Sequence, residues 1–181
     1  MDLSKITTHP VSQTAITNLD TSLILHHIGA TQEGGSGNDR LYGTVGNDVM
    51  YGNAGDDQFH LIGGNDKAYG GAGNDFFDIG TGNHTASGGE GNDLFYIRGI
   101  GNDTLSGGNG ADEYVFLDSF KGHATITDFN GAAGDHIVFA KAVDGVAWNA
   151  DHTGLDYIFK DGSSVTFMGN HDLIDPYATY L

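Results

Sequence analysis

The stretch from Gly34 to Val115 divides into nine consecutive units. They read GGSGNDRLY from Gly34, GTVGNDVMY from Gly43, GNAGDDQFH from Gly52, LIGGNDKAY from Leu61, GGAGNDFFD from Gly70, IGTGNHTAS from Ile79, GGEGNDLFY from Gly88, the ten-residue IRGIGNDTLS from Ile97, and GGNGADEYV from Gly107. Self-similarity at one fixed short period marks a repeat architecture. Glycine recurs where a tight turn needs backbone angles that other residues avoid, and an aspartate follows at position six. Position eight is apolar throughout: Leu41, Met50, Phe59, Ala68, Phe77, Ala86, Phe95, Leu105 and Tyr114. Because side chains alternate along a strand, position eight points to one side and positions seven and nine to the other.

Working outward, the composition explains why the turns are acidic. The 181-residue chain carries 21 Asp and 3 Glu against 7 Lys and Arg, for a net charge of -17. A charge of that size either keeps a chain disordered or is neutralised by cations on folding. Apolar side chains held in phase over nine units argue for the second outcome and against a flexible Gly/Asp linker. There is no cysteine, so oxygen and imidazole are the available ligands. The surface is a poor partner for nucleic acid or anionic membrane. No apolar run approaches the roughly 18 residues of a membrane helix, and the first residues lack the pattern of an N-terminal secretory signal.

The units resemble the glycine- and aspartate-rich nonapeptide of RTX proteins, G-G-x-G-x-D-x-U-x with U apolar. That resemblance implies an all-β fold, a right-handed parallel β-roll in which each unit supplies a calcium-binding turn and a short strand, and two units make one coil. Alternate units then belong to opposite sheets. Leu41, Phe59, Phe77, Phe95 and Tyr114 fall on one, and Met50, Ala68, Ala86 and Leu105 on the other. Leu61, Ile79, Ile97 and Phe116 form a second inward row on the large-residue sheet.

The resemblance also implies the ligands. An ion between stacked turns takes the carbonyls of positions two and four with the Asp of the lower turn, and the carbonyls of positions one and three with the Asp of the upper. Calcium's preference for about six to eight hard oxygens fits two turns and exceeds what one can offer. The first ladder is Asp39, Asp57, Asp75, Asp93 and Asp112. Its expected carbonyl donors are Gly35, Gly37, Gly52, Asn53, Ala54, Gly55, Gly70, Gly71, Ala72, Gly73, Gly88, Gly89, Glu90, Gly91, Gly107 and Asn109. The second ladder is Asp48, Asp66, His84 and Asp103. Only its first gap is fully equipped, with Thr44, Gly46 and Asp48 facing Leu61, Gly63 and Asp66. Imidazole is a poor calcium ligand, so His84 is read as standing at an empty site. About five calcium ions are expected.

Residues 1–33 are read as an N-terminal segment or cap, with Leu23, Ile24, Leu25 and Ile28 as candidates to cover the first coil and His26 and His27 as ordinary polar neighbours. Residues 34–116 are the roll and 117–181 a C-terminal β cap. Within the cap, ATITDFNGAAGDHIVF from Ala124 suits strands that close the roll, and Asp128 is a candidate to complete a last ion site with Asp112. Val146–Trp148, Leu155–Phe159 and Val165–Met168 read as antiparallel hairpin strands. A roll needs caps because its end coil exposes apolar side chains and unpaired edges. The ending DLIDPYATYL is similar to the uncleaved C-terminal signals of type I export, with a plain final strand as the alternative.

No G-x-S-x-G elbow, H-E-x-x-H helix or phosphate loop is present, which argues against an enzyme. The leading functional expectation is a secreted module that folds on meeting extracellular calcium. The alternatives are a calcium-dependent carbohydrate- or surface-binding module similar to those of alginate-modifying enzymes or adhesins, using outward Tyr42, His60, Phe76, Leu94, Tyr96, Tyr51 and Tyr69, or the C-terminal part of a larger enzyme or toxin.

Overall fold

The computed structural model describes residues 29–148, 154–170 and 179–180. The cap residues Leu23 to Ile28 and most of the DLIDPYATYL ending lie outside them. Among the described residues there is no helix, and so none long and apolar enough to cross a membrane. The chain alternates between two sheets. The first holds β1 (Thr31–Glu33), β3 (Val49–Ala54), β5 (Lys67–Ala72), β7 (Thr85–Glu90), β9 (Ile100–Asn109) and β11 (Lys121–Asn130). The second holds β2 (Arg40–Tyr42), β4 (Gln58–Leu61), β6 (Phe76–Ile79), β8 (Leu94–Ile97), β10 (Glu113–Phe116) and β12 (His136–Phe139). Every neighbouring pair in both series is parallel.

The register follows from the repeat. A unit pairs with the unit two along, so Phe59 lies beside Phe77 and Phe77 beside Phe95, while Met50 lies beside Ala68 and Ala68 beside Ala86. Position eight is buried in every unit, and the second row of Leu61, Ile79, Ile97 and Phe116 is fully buried as well. The rings of Phe59, Phe77, Phe95 and Tyr114 stack face to face at 4.7, 4.7 and 4.9 Å. These separations are the spacing of neighbouring strands, so the ladder itself imposes the stack.

Parallel stacking continues past residue 116. β11 and β12 add a further coil, with Ile126 beside Leu105 and Ile137 beside Tyr114. The segment from Ala124 thus extends the roll, and the antiparallel closure comes later. β13 (Val143–Trp148), β14 (Gly154–Phe159) and β15 (Ser164–Asn170) form an antiparallel meander whose last strand joins β11 in parallel, with a register shift between Ile126 and Phe129. In the other sheet β16 (Thr179–Tyr180) pairs with β12. Phe129, Phe139, Tyr157, Phe159 and Phe167 fill this end with buried aromatic contacts. Lys141 ties the meander down: its ammonium donates to the Phe120 carbonyl at 2.6 Å, Ser163 Oγ at 2.8 Å and Asp161 Oδ2 at 3.0 Å. It also sits over the rings of Phe120 and Phe159.

Candidate metal centre

The turns at the sheet edges stack as the strands do, which places the position-six carboxylates in two columns. In the first column the amides of Asp39, Asp57, Asp75 and Asp93 each donate to Oδ1 of the next aspartate, at 2.7 to 2.9 Å. The column does not end at Asp112, whose amide donates to Asp135 Oδ1 at 3.0 Å. The next rung is therefore Asp135, from the degenerate turn NGAAGD at Asn130, and Asp128 holds a different place. Both Asp128 oxygens accept hydrogen bonds, from Gly107 N, Gly108 N and Ser106 Oγ.

The second oxygen of each carboxylate carries the chemistry. Oδ2 of Asp57, Asp75, Asp93 and Asp112 is buried without a hydrogen-bond partner, and so is Oδ2 of Asp66 in the other column. Buried charged oxygens are normally paired, because an uncompensated one costs several kcal/mol. Each of the four points into a cradle that only glycine permits. A Cβ on Gly70 would stand 2.1 Å from Asp75 Oδ2 and 2.6 Å from the Gly88 carbonyl, and the same holds at Gly52 and Gly88. Gly73, at position four, has φ +133°, and its missing Cβ would stand 2.1 Å from the Gly55 carbonyl. Oxygens thus converge from two stacked turns. Among the described residues no three His, Asp or Glu side chains come together to hold a metal by themselves. An ion here must take main-chain carbonyls, as calcium does and softer metals do not. The donor set fits calcium.

Burial also raises the pKa values of these carboxyls, making them weaker acids. It pushes Asp75 and Asp112 up to about 6 and Asp93 up to about 7, with neighbouring carboxylates adding to the effect. Asp57 and Asp135 are raised for the same first reason. A carboxyl whose folded value lies above its unfolded 3.8 favours folding at low pH and opposes it as pH rises through the folded value. Without cations, acidification from pH 8 to about pH 5 is expected to raise β-sheet content; with calcium, affinity should fall over the same window as protons compete. A calcium-free circular dichroism signal that does not change across that range would contradict this.

The second column is interrupted. Asp48 N donates to Asp66 Oδ1 at 2.9 Å, but Asp66 N faces His84 Nδ1 at 3.3 Å, and His84 N donates to Asp103 Oδ1 at 2.9 Å. The imidazole stands where a carboxylate would, fully buried, with Nδ1 also 3.2 Å from Asp66 Oδ2. It removes one anionic ligand from the gaps on either side. His84→Asp is expected to restore the column, so that native mass spectrometry finds at least one calcium ion more than in the parent. An unchanged ion count would show that the imidazole is not what limits this column.

The position-six residues expected from the sequence stack as Asp39, Asp57, Asp75, Asp93 and Asp112 in the first column and Asp48, Asp66, His84 and Asp103 in the second. Sequence reasoning did not single out position five. Its side chains form an outer ladder: Asn38, Asp56, Asn74 and Asn92 each accept from the backbone amide one coil on, at 2.8 to 3.0 Å. Asn47 and Asn83 do likewise on the other side. The recurring Gly-Asn-Asp was the available signal. The outward aromatics of the second sheet form one row, with Tyr42 stacked on His60 at 4.6 Å, His60 edge-on to Phe76 at 6.4 Å and Phe76 edge-on to Tyr96 at 5.3 Å, while on the first sheet Tyr51 stacks on Tyr69 at 5.2 Å.

A family model described as RTX calcium-binding nonapeptide repeat matches four times, over residues 33–61, 63–86 and 99–115. Among solved structures, the chain is similar to an extracellular lipase from Serratia marcescens, with 19% identity over 78% of this chain and a TM-score of 0.30. It spans 38% of that lipase. It is also similar to a subunit of the mannuronan C5-epimerase from Azotobacter vinelandii, with 27% identity over 76% of this chain and 74% of that one, and a TM-score of 0.33. No curated protein matches the chain.

Proposed function

Because its repeats belong to the RTX calcium-binding nonapeptide family, we propose that this chain is a non-catalytic module whose folding is switched on by calcium outside the cell. The observation that carries the reading is the row of inward, unpartnered carboxylate oxygens on Asp57, Asp75, Asp93 and Asp112. The same row would be a liability in a fold meant to stand without cations. At low cytosolic calcium the aspartates repel, and the two narrow inward rows do not offset the chain entropy lost on ordering. Such a chain stays extended and suited to export through a type I system. At calcium near the roughly 0.1 to 1 mM affinities of extracellular modules, binding becomes folding free energy. About five ions are assigned, four along the first column from Asp39 to Asp112 and one between Asp48 and Asp66. Chelation followed by return of calcium, read by circular dichroism, tests the reading.

A further inference from the structure

The parallel stack begins before the first nonapeptide. Val49 N donates to the Ala30 carbonyl at 2.8 Å, as Lys67 N does to that of Asp48 and Thr85 N to that of Asp66, and Ala30 N donates in turn to Asp48 Oδ1. β1 pairs with β3 so that Gln32 lies beside Met50. Ala30 therefore stands at position six of the second column and Gln32 at position eight of its coil. Both places have changed character. Position six carries no carboxylate, and the inward rung, apolar in all nine later units, is an amide.

Gln32 is buried all the same, at 6% exposure. Its side chain reaches from the first sheet to β2, the last strand of the second. In a parallel ladder, alternate residues turn their peptide groups to opposite sides. The Asp39 carbonyl accepts from Gln58 N and Gly43 N donates to the His60 carbonyl, so the odd-numbered residues face β4 and Tyr42 faces the open edge. There the Gln32 carboxamide meets both backbone groups. Nε2 donates to the Tyr42 carbonyl at 2.6 Å, and Oε1 accepts from Tyr42 N at 3.3 Å. One side chain thus does what a peptide unit of a further strand would do. The Leu41 and Met50 side chains on the next rungs have no group that could bond that edge.

We propose that Gln32 is a stop built into the starting end of the roll: its carboxamide occupies the open edge of β2 and keeps a second copy of this chain from pairing there. An unpaired strand edge is a template for another chain, and stacked repeats need atypical end units for that reason. β2 carries one charged side chain, Arg40, as its other defence. A second copy is the occupant that the edge invites, because antiparallel pairing of β2 with its own equivalent is isologous and requires no other sequence.

The test compares the whole chain with Gln32→Met and Gln32→Asn in saturating calcium, by hydrogen exchange at the Tyr42 amide and by sedimentation velocity over a range of protein concentrations. Gln32→Met puts at the end rung the residue that already fills the neighbouring one; Gln32→Asn keeps the amide and shortens its reach. Both variants are expected to retain the parent's calcium-induced circular dichroism. In dilute solution the Tyr42 amide should exchange about tenfold faster in each. As concentration rises, both should associate more strongly than the parent, and the Tyr42 amide should regain protection. A folded variant with the parent's exchange and sedimentation overturns the stop. Faster exchange without added association overturns it too, and leaves Gln32 as a local hydrogen-bond partner alone.

Discussion

Removing calcium with a chelator is expected to abolish most of the β-sheet circular dichroism of this chain, and returning it to restore the signal in one cooperative step. Buried anionic oxygens without partners line the column from Asp57 to Asp112, on a chain of net charge -17. Each ion that binds only the folded form contributes about 2.7 kcal/mol when calcium stands a hundredfold above its dissociation constant. Several such sites reach the ~5–15 kcal/mol that separates an ordinary folded domain from its unfolded chain. Withdrawing them removes stability of that order and restores the mutual repulsion of the aspartates. Magnesium at equal concentration should fail, being smaller, strict in geometry and slow to shed water. A spectrum that survives chelation unchanged would show that the carboxylates are accommodated in some other way.

Phe77→Ala is expected to be the most damaging single substitution in the roll, costing about 3–5 kcal/mol in calcium-saturated protein. Phe77 is completely buried and stacked at 4.7 Å on both Phe59 and Phe95, so truncation opens a cavity in mid-column and breaks two ring contacts. The strands on either side are tied into the sheet and cannot collapse into the space. Folding and binding are linked, so the calcium midpoint should rise along with the loss of denaturant stability. Phe76 is the control: one residue earlier, it lies on the outer face and is half-buried, and Phe76→Ala should cost far less. Denaturant unfolding of both variants at fixed calcium checks the pair; equal losses would mean that the inward and outward faces have been misassigned.

Much of this was legible before any coordinates. A strand side chain has only two directions, so a nine-residue period settled which residues face inward, while the column membership of each aspartate came from the family resemblance, which implies that every second unit pairs. His84 stood out as a break because its neighbours in the column are carboxylates. The end of the roll was less legible. NGAAGDHIV keeps one aspartate, the position-two glycine and one inward isoleucine of the pattern but has Asn130 and Ala133 where glycines stand at positions one and four, so Asp128 drew attention that belonged to Asp135. A bulge in β11 decides that difference, by turning the Asp128 carboxylate onto the amides of Gly107 and Gly108.

By itself, then, the order of residues determined the period, the two faces of each strand and the chemistry of the turns, because these depend on spacing along one chain and on the hardness of oxygen donors. Tertiary structure alone decided how the stack terminates: that the parallel register persists through β12 and that a meander pinned by Lys141 closes it. Local rules repeat only while the neighbours repeat. At an end, each group meets partners distant in sequence, and only three-dimensional packing says which.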